Sequence, residues 1–303
     1  MLVAVKACAI NYPDVLIIRD LYQFKPQRPF SPGGELAGVI EAVGEGVEDF
    51  KVGDRVLAGI GNGGLAEKAL VPAGRMFAVP DGVPFEKAAS LLMTFGTTIH
   101  GLKDRGHIKA GETVLMLGAA GGVGLSAIEL AKAFGARVVA AVSSEAKGEV
   151  ARKVGADEVV IYPREAMDKD ASKALADAFK KACGPEGAHI VYDIVGGQYS
   201  EPALRAIAWE GRFLVVGFPA GIAKMPLNLT LLKSCDICGV FWGAFTAREP
   251  EAFRAQVDEL FALMKDGKID PLVSETFPLA RAGDAIAKLE GREAVGKLVV
   301  TME

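Results

Sequence analysis

The chain has 303 residues, 50% of them hydrophobic, and a formal net charge of -4, so it can bury a sizeable core and its length favours two domains over one. Such mild acidity offers no electrostatic footprint for nucleic acid. No segment reads as a membrane span, and Lys6 and Asn11 would interrupt a signal-peptide core, so a soluble cytoplasmic protein is expected.

Residues 2–10, LVAVKACAI, read as a strand that ends at Asn11-Tyr12-Pro13-Asp14, with Asp14 expected to cap a short helix over 15–19. Tyr22 to Pro26 and Ser31 to Glu35 form a loop-rich stretch of the kind on which sites are built. From Leu36 to about Val79, short strands punctuated by glycine argue a mostly antiparallel barrel or sandwich. Pro84 to Leu102 reads as helical, with Phe85, Ala88, Ala89, Leu91 and Leu92 as its apolar stripe.

The rest of the chain is organised around residues 113–134, TVLMLGAAGGVGLSAIELAKAF. A short apolar strand, Thr113 to Leu117, runs into a cluster of small residues and then into an apolar-striped helix. Within the cluster, Ala119, Gly121 and Gly124 follow the dinucleotide fingerprint with alanine in its first position. Ala119 keeps the turn tight, Gly121 lets backbone approach a pyrophosphate, and Gly124 lets the helix pack on the strand. The helix start, through Gly122 and Val123, offers N–H groups and a partial positive charge to phosphates. A glycine triplet alone is a weak signal; its strand–turn–helix context makes it a nucleotide site.

Further strands alternate with helices at Arg137 to Val142, Glu158 to Tyr162, His189 to Val195, Arg212 to Gly217 and Ile237 to Trp242, which predicts a doubly wound parallel sheet. Ligands of such sheets lie beyond the carboxyl ends of strands, so Ser143, Ser144, Tyr162, Gly196, Gly197 and Phe218 are expected around one crevice. Ser143-Ser144 and Lys147 stand where an NAD site would want an acidic side chain, and hydroxyls plus a cation suit a 2′-phosphate; Glu145, next door, keeps NAD open. A helix from about Pro250 to Lys265 and a last strand, Lys297 to Thr301, are expected to return the chain to the first domain. The predicted division is 1–96 with 248–303 for the mostly β domain and 97–247 for the nucleotide domain. The apolar edge strand Ile237 to Trp242 is expected to pair with its own copy in a homodimer.

The four cysteines, at 8, 183, 235 and 238, form no disulfide framework, and Cys235-x-x-Cys238 lacks a second ligand pair. None of the three histidines, His100, His107 and His189, stands at a metal-binding spacing from another, and no metal is expected.

In combination, VKACAINYPDVLI, PGGELAGVIEAVGEGVEDFKVGDRV, Thr97-Thr98, GAAGGVG, GADEVVIY, YDIVGG and GKLVV resemble the medium-chain dehydrogenase/reductases, specifically their zinc-free, zeta-crystallin-like NADPH:quinone oxidoreductase branch. The resemblance implies a GroES-like catalytic domain beside a Rossmann domain. Family members begin earlier, which implies that the first strands of the catalytic domain are not represented and leaves an unpaired edge. Asn11 and Gly34 match positions that carry cysteine and histidine in zinc-dependent alcohol dehydrogenases, so zinc-assisted alcohol oxidation is not expected. Asp20 departs from the glycine found in many relatives.

By the same resemblance, Tyr162 and Arg292 complete a 2′-phosphate pocket, backbone near Phe218 and Phe241 holds the nicotinamide carboxamide, and the ring lies near Asn11 and Thr97. The implied reaction is NADPH-dependent hydride transfer to a quinone or another α,β-unsaturated carbonyl, with Tyr22 or water protonating the product oxygen. Asn11 and Thr97 have a second role open to them, as helix caps. Two alternatives accompany this reading: an enoyl-thioester reductase, and a non-catalytic NADPH-binding crystallin-like or nucleic-acid-associated protein.

Overall fold

A computed structural model describes residues 1–303. The strands in chain order are β1 (Leu2–Ile10), β2 (Glu35–Ala42), β3 (Arg55–Gly59), β4 (Lys68–Leu70), β5 (Met76–Ala78), β6 (Thr113–Leu117), β7 (Arg137–Val142), β8 (Glu158–Ile161), β9 (Ala188–Asp193), β10 (Ile207–Val215), β11 (Asp236–Gly239), β12 (Val273–Pro278) and β13 (Lys297–Thr301). They form two sheets in two compact units, Met1–Thr94 with Asp270–Glu303, and Phe95–Ile269.

The first unit is built on β1, whose Val3, Val5, Ala7, Cys8 and Ile10 are all buried. β2 pairs with one edge of β1, while β4 and β13 share the other. The sheet runs β12-β13-β1-β2-β3-β5, antiparallel throughout this path except for β12 with β13. Its core joins Val3, Val5 and Ile10 to Leu36, Ile40, Val56, Leu298 and Val300.

The first helix is Tyr12–Ile17, earlier than expected, and Asn11 rather than Asp14 holds the cap position. Pro13 explains the shift, because proline in a first turn gives up only an N–H that has no helical acceptor. Asp14 instead ties the helix to the loop before β2, its carboxylate accepting the Asn11 N–H at 2.8 Å and the Gly33 N–H at 2.9 Å. Asp20 has φ 58, the left-handed conformation that glycine adopts without cost and aspartate tolerates, so this departure keeps the turn.

In the second unit all strand pairs are parallel, in the order β11-β10-β9-β6-β7-β8. The first strand of the unit is central and the order reverses around it, which is the Rossmann double winding. β10 begins at Ile207, before the expected Arg212, with an irregularity in its pairing to β9 between those residues; Glu210 there has φ 54. β11 is only Asp236–Gly239, and Trp242, expected to end it, instead opens the helix Trp242–Arg248.

The helix Pro250–Lys265 groups with the nucleotide unit instead of the first, which moves the boundary from 247 to 269. Side chains explain the change. Gln256 Nε2 donates to Asp104 Oδ2 at 2.6 Å, Phe253 packs edge-on to Trp242, and Val257 and Leu260 are buried.

Candidate nucleotide site and the polar cluster of the first unit

The strand register of the second unit brings its carboxyl ends level: Leu117 stands beside Ala141 and Asp193, Val215 beside Asp193 and Gly239, and Val142 beside Ile161. The loops that leave these ends carry Ala119 to Gly124, Ser143 to Lys147, Tyr162, Gly196, Phe218 and Phe241, so the predicted nucleotide residues of this unit share one end of the sheet.

The turn after β6 is tied down by backbone, since the N–H groups of Gly118 and Ala119 both donate to Ala141 O, at 3.0 and 3.1 Å. Leu125 N–H to Gly121 O, at 2.8 Å, is the first helical bond, which leaves the N–H groups of Gly122, Val123 and Gly124 without helical acceptors. The two fingerprint glycines are needed for different reasons. A Cβ on Gly124 would lie 2.4 Å from Gly118 O, so helix packing itself requires glycine. A Cβ on Gly121 would meet nothing closer than Gly118 O at 3.7 Å, and its φ of -78° suits any residue. Folding does not require glycine at 121.

At the end of β7, Ser144 caps the helix Glu145–Val154, its Oγ accepting the Lys147 N–H at 3.4 Å. The cap places Ser143, Ser144 and the half-buried Lys147 around one turn. Glu145 is engaged elsewhere, as Arg152 Nη1 donates to its carboxylate at 2.6 Å and to that of Glu149 at 2.5 Å. Tyr162 is buried against Tyr199, ring centroids 4.7 Å apart, and so contributes to the core.

Nothing in the sequence singles out Asp193, yet it shapes the loop after β9. Its Oδ1 accepts the N–H groups of Val195 and Gly196, both at 2.8 Å, and its Oδ2 accepts Ser200 Oγ–H at 2.6 Å. Burial pushes this carboxyl above its ordinary range, opposed by those hydrogen bonds. Gly196, at φ 72, abuts the loop after β10: a Cβ there would be 2.6 Å from Gly221 O and 2.9 Å from Phe218 Cα. Phe218 and Phe241 are 56% and 58% exposed.

Thr97 is half-buried, and its neighbour Thr98 makes the stronger connection. Thr98 Oγ1 and Ser126 Oγ are 2.8 Å apart, Tyr192 Oη donates to Thr98 at 3.4 Å, and Ser126 donates to Val123 O at 2.9 Å. This buried hydroxyl chain ties the Thr97 segment to the first turn of the glycine helix. Arg292 belongs to the first unit, at φ 59 after the helix Ala282–Glu290.

In the first unit, the end of β1 and the starts of β2 and β13 converge on a buried polar cluster. Lys297 Nζ donates to Asn11 Oδ1 at 2.6 Å, Glu35 Oε1 at 3.1 Å and Ile10 O at 3.5 Å. Glu35 Oε2 also accepts the Met93 N–H. Asp14 lies close enough to feel both charges, and burial raises its carboxyl from 3.8 to about 6, with its two backbone donors and Lys297 opposing and Glu35 reinforcing. Tyr22 lies outside this network, half-buried on the stretch after the first helix, with its phenol pKa raised by burial.

These residues do not fit a catalytic zinc. Asn11 and Gly34 supply neither thiolate nor imidazole, no group of three His, Cys, Asp or Glu side chains could hold a metal ion, and an ammonium already occupies the surroundings of Asn11.

Residues 1–81 match the alcohol dehydrogenase GroES-like domain family, and residues 122–262 the family described as zinc-binding dehydrogenase. The quinone oxidoreductase-like protein 2 homolog of Nematostella vectensis is 36% identical over 98% of this chain and 80% of its own length. The crystal structure of Escherichia coli quinone oxidoreductase complexed with NADPH superposes with a TM-score of 0.89 at 30% identity, covering 99% of this chain and 90% of that one. The CurK enoyl reductase gives a TM-score of 0.87 at 27% identity, covering 100% and 90%. With its GroES-like and Rossmann units and these relatives, the chain belongs to the quinone oxidoreductase family of medium-chain dehydrogenase/reductases, and it is an oxidoreductase.

Proposed function

We propose that the protein is an NADPH-dependent, zinc-independent reductase of quinones or other α,β-unsaturated carbonyls, acting in the cytoplasm as a homodimer without nucleic-acid or membrane partners. The observation that carries the reading is Gly121, a glycine that the fold does not need because a Cβ there would fit without clash, at a helix start with three N–H groups unused by the helix. The NADPH bound by the E. coli quinone oxidoreductase is the cofactor this arrangement fits.

Gly122, Val123 and Gly124 donate to the pyrophosphate, and Ala119 keeps the turn beneath it short. Ser143, Ser144 and Lys147 receive the 2′-phosphate, with Tyr162 beside them. Backbone next to Gly196, Phe218 and Phe241 holds the carboxamide, and Thr97 serves the nicotinamide end. When bound, NADPH supplies a hydride. With the hydride delivered to the acceptor, a proton from Tyr22 or water would reach the acceptor oxygen, so that hydride and proton together would turn a quinone into its quinol. The catalytic domain is assigned to residues 1–94 with 270–303, and the NADPH domain to 95–269. For the dimer, support comes from β11, an edge strand paired only with β10, and from the exposed Ile222, Leu227, Leu231 and Leu232 nearby in sequence.

The test is turnover of a simple quinone with NADPH and with NADH. NADPH should be preferred, and Lys147→Ala should reduce that preference about tenfold, the scale of one charge-assisted phosphate contact. Equal use of both cofactors, or an unchanged ratio in the variant, would mean that the phosphate pocket is misassigned. The CurK likeness favours one second reading, reduction of an enoyl thioester by the same hydride step. Turnover of an enoyl thioester far above that of quinones would select it, whereas NADPH binding without turnover of either would select the non-catalytic class.

A further inference from the structure

The polar cluster of the first unit is costly to build. Lys297, Glu35 and Asn11 are 4%, 1% and 6% exposed, and burying an ion pair gives up hydration that its attraction often fails to recover. A methionine at 297 would fill similar volume without that cost. The ammonium nevertheless has an acceptor for each of its three protons, Asn11 Oδ1, Glu35 Oε1 and Ile10 O. The strand register fixes the arrangement, since Ile10 pairs with Leu298 and Ala9 with Glu35, putting the three side chains at one end of three adjacent strands.

An ammonium can only donate, so it dictates which way the Asn11 amide faces. Oδ1 must point at Lys297, which fixes Nδ2 as the side of the amide turned away from the ammonium. One Nδ2 proton is directed at Ala9 O, at a long 3.4 Å, and the second has no acceptor within the protein. Were Lys297 uncharged, the amide could turn and present Oδ1, a lone pair that would repel an oxygen gaining negative charge.

We propose that Lys297 is a positioning residue of the reductase, whose buried ammonium, held by Glu35, locks the Asn11 carboxamide with its free Nδ2–H toward the acceptor oxygen. This rests on the reductase reading, with Asn11 beside the nicotinamide ring as the family resemblance implies, and assigns Asn11 the acceptor oxygen. The ligand class is a carbonyl or quinone oxygen that becomes an enolate or quinolate as the hydride arrives. Because Glu35 neutralises Lys297, the pair contributes orientation more than net charge, and the donor itself stabilises the developing anion.

The experiment measures single-turnover hydride transfer from NADPH to a simple quinone, together with NADPH affinity and melting temperature, in Asn11→Ala, Lys297→Met, the double variant and Glu35→Gln. Removal of one oxyanion donor slows reactions by about 10²-fold, so Asn11→Ala should do so. Lys297→Met should approach that loss with NADPH affinity unchanged, and the double variant should be no slower than Asn11→Ala alone. Glu35→Gln, which keeps an oxygen facing Lys297, should retain most of the rate. A full rate in Lys297→Met, or losses that multiply in the double variant, would overturn the positioning role while leaving the reductase reading intact. A full rate in Asn11→Ala would overturn this proposal alone, whereas a wild type that turns over nothing with NADPH would overturn the parent reading and this one with it. Should Lys297→Met fail to fold, Asn11→Asp decides, because it keeps an acceptor for Lys297 and has no donor to offer. A full rate in that variant would overturn the proposal, and a loss matching Asn11→Ala would support it.

Discussion

Both units bring chemistry to the ends of strands, but by different means. In the nucleotide unit the candidate groups are backbone N–H groups presented by contiguous residues, Gly122 to Gly124, and their arrangement follows from which residues lack a Cβ. In the first unit they are side chains from positions 11, 35 and 297, and only sheet register brings them together. A backbone site is written locally and is intolerant of added atoms. A side-chain cluster is written across the whole chain and is sensitive to charge and protonation.

The largest effect separating the two modes should come from Gly124→Ala. Its Cβ would fall 2.4 Å from Gly118 O, a clash with backbone that only a helix shift relieves. A loss of about 2–4 kcal/mol is expected, the range of overpacking and backbone strain, read as a lower urea midpoint with or without cofactor. A variant as stable as wild type would show that the helix does not need close approach.

Next in size is Tyr22→Phe. A phenol is a good donor to an enolate, while water can protonate a quinol oxygen, so enone reduction should slow about 10²-fold and quinone reduction much less. Equal small effects on both acceptors would mean that Tyr22 only packs its loop.

The smallest effect is one of protonation. Asp14 is raised to about 6 from 3.8, so the folded protein holds this proton more tightly than the unfolded chain does. Its contribution to stability is therefore complete below about pH 4 and is lost as the pH rises through about 6. Asp14→Asn should carry a constant offset, from the altered acceptor for Asn11 and Gly33 N–H, but lack the wild-type decline across that window. Urea midpoints between those pH values check it, and parallel profiles for the two proteins would exclude Asp14 as the titrating group.

The same contrast explains what could be read from sequence. β6 and β7 appear at the expected residues, because a short apolar run bounded by small or turn-forming residues has few other solutions. Gly121 and Gly124 could be found as a motif, although their separate reasons emerge only when each missing Cβ is placed. Lys297 could not be anticipated, since it lies 286 residues from the Asn11 amide it faces and looks like any strand-end lysine. Asp193 and Thr98 lie inside recognisable motifs, with nothing local to mark a carboxylate that gathers two backbone N–H groups or a hydroxyl that reaches Ser126. The shortened β11 and the placement of Pro250–Lys265 were decided by tertiary partners of Trp242 and Gln256, which local pattern does not encode.

The most direct test of the account is a calorimetric titration of NADPH into Gly121→Ala beside wild type, with melting curves of both without cofactor. Alanine fits the backbone at 121 and would touch nothing closer than 3.7 Å, so the melting temperature should stay level or rise slightly. NADPH affinity should fall at least about tenfold, because the methyl group takes the space through which the pyrophosphate approaches. Unchanged NADPH affinity in a stable variant would contradict the assignment of this turn as the cofactor site.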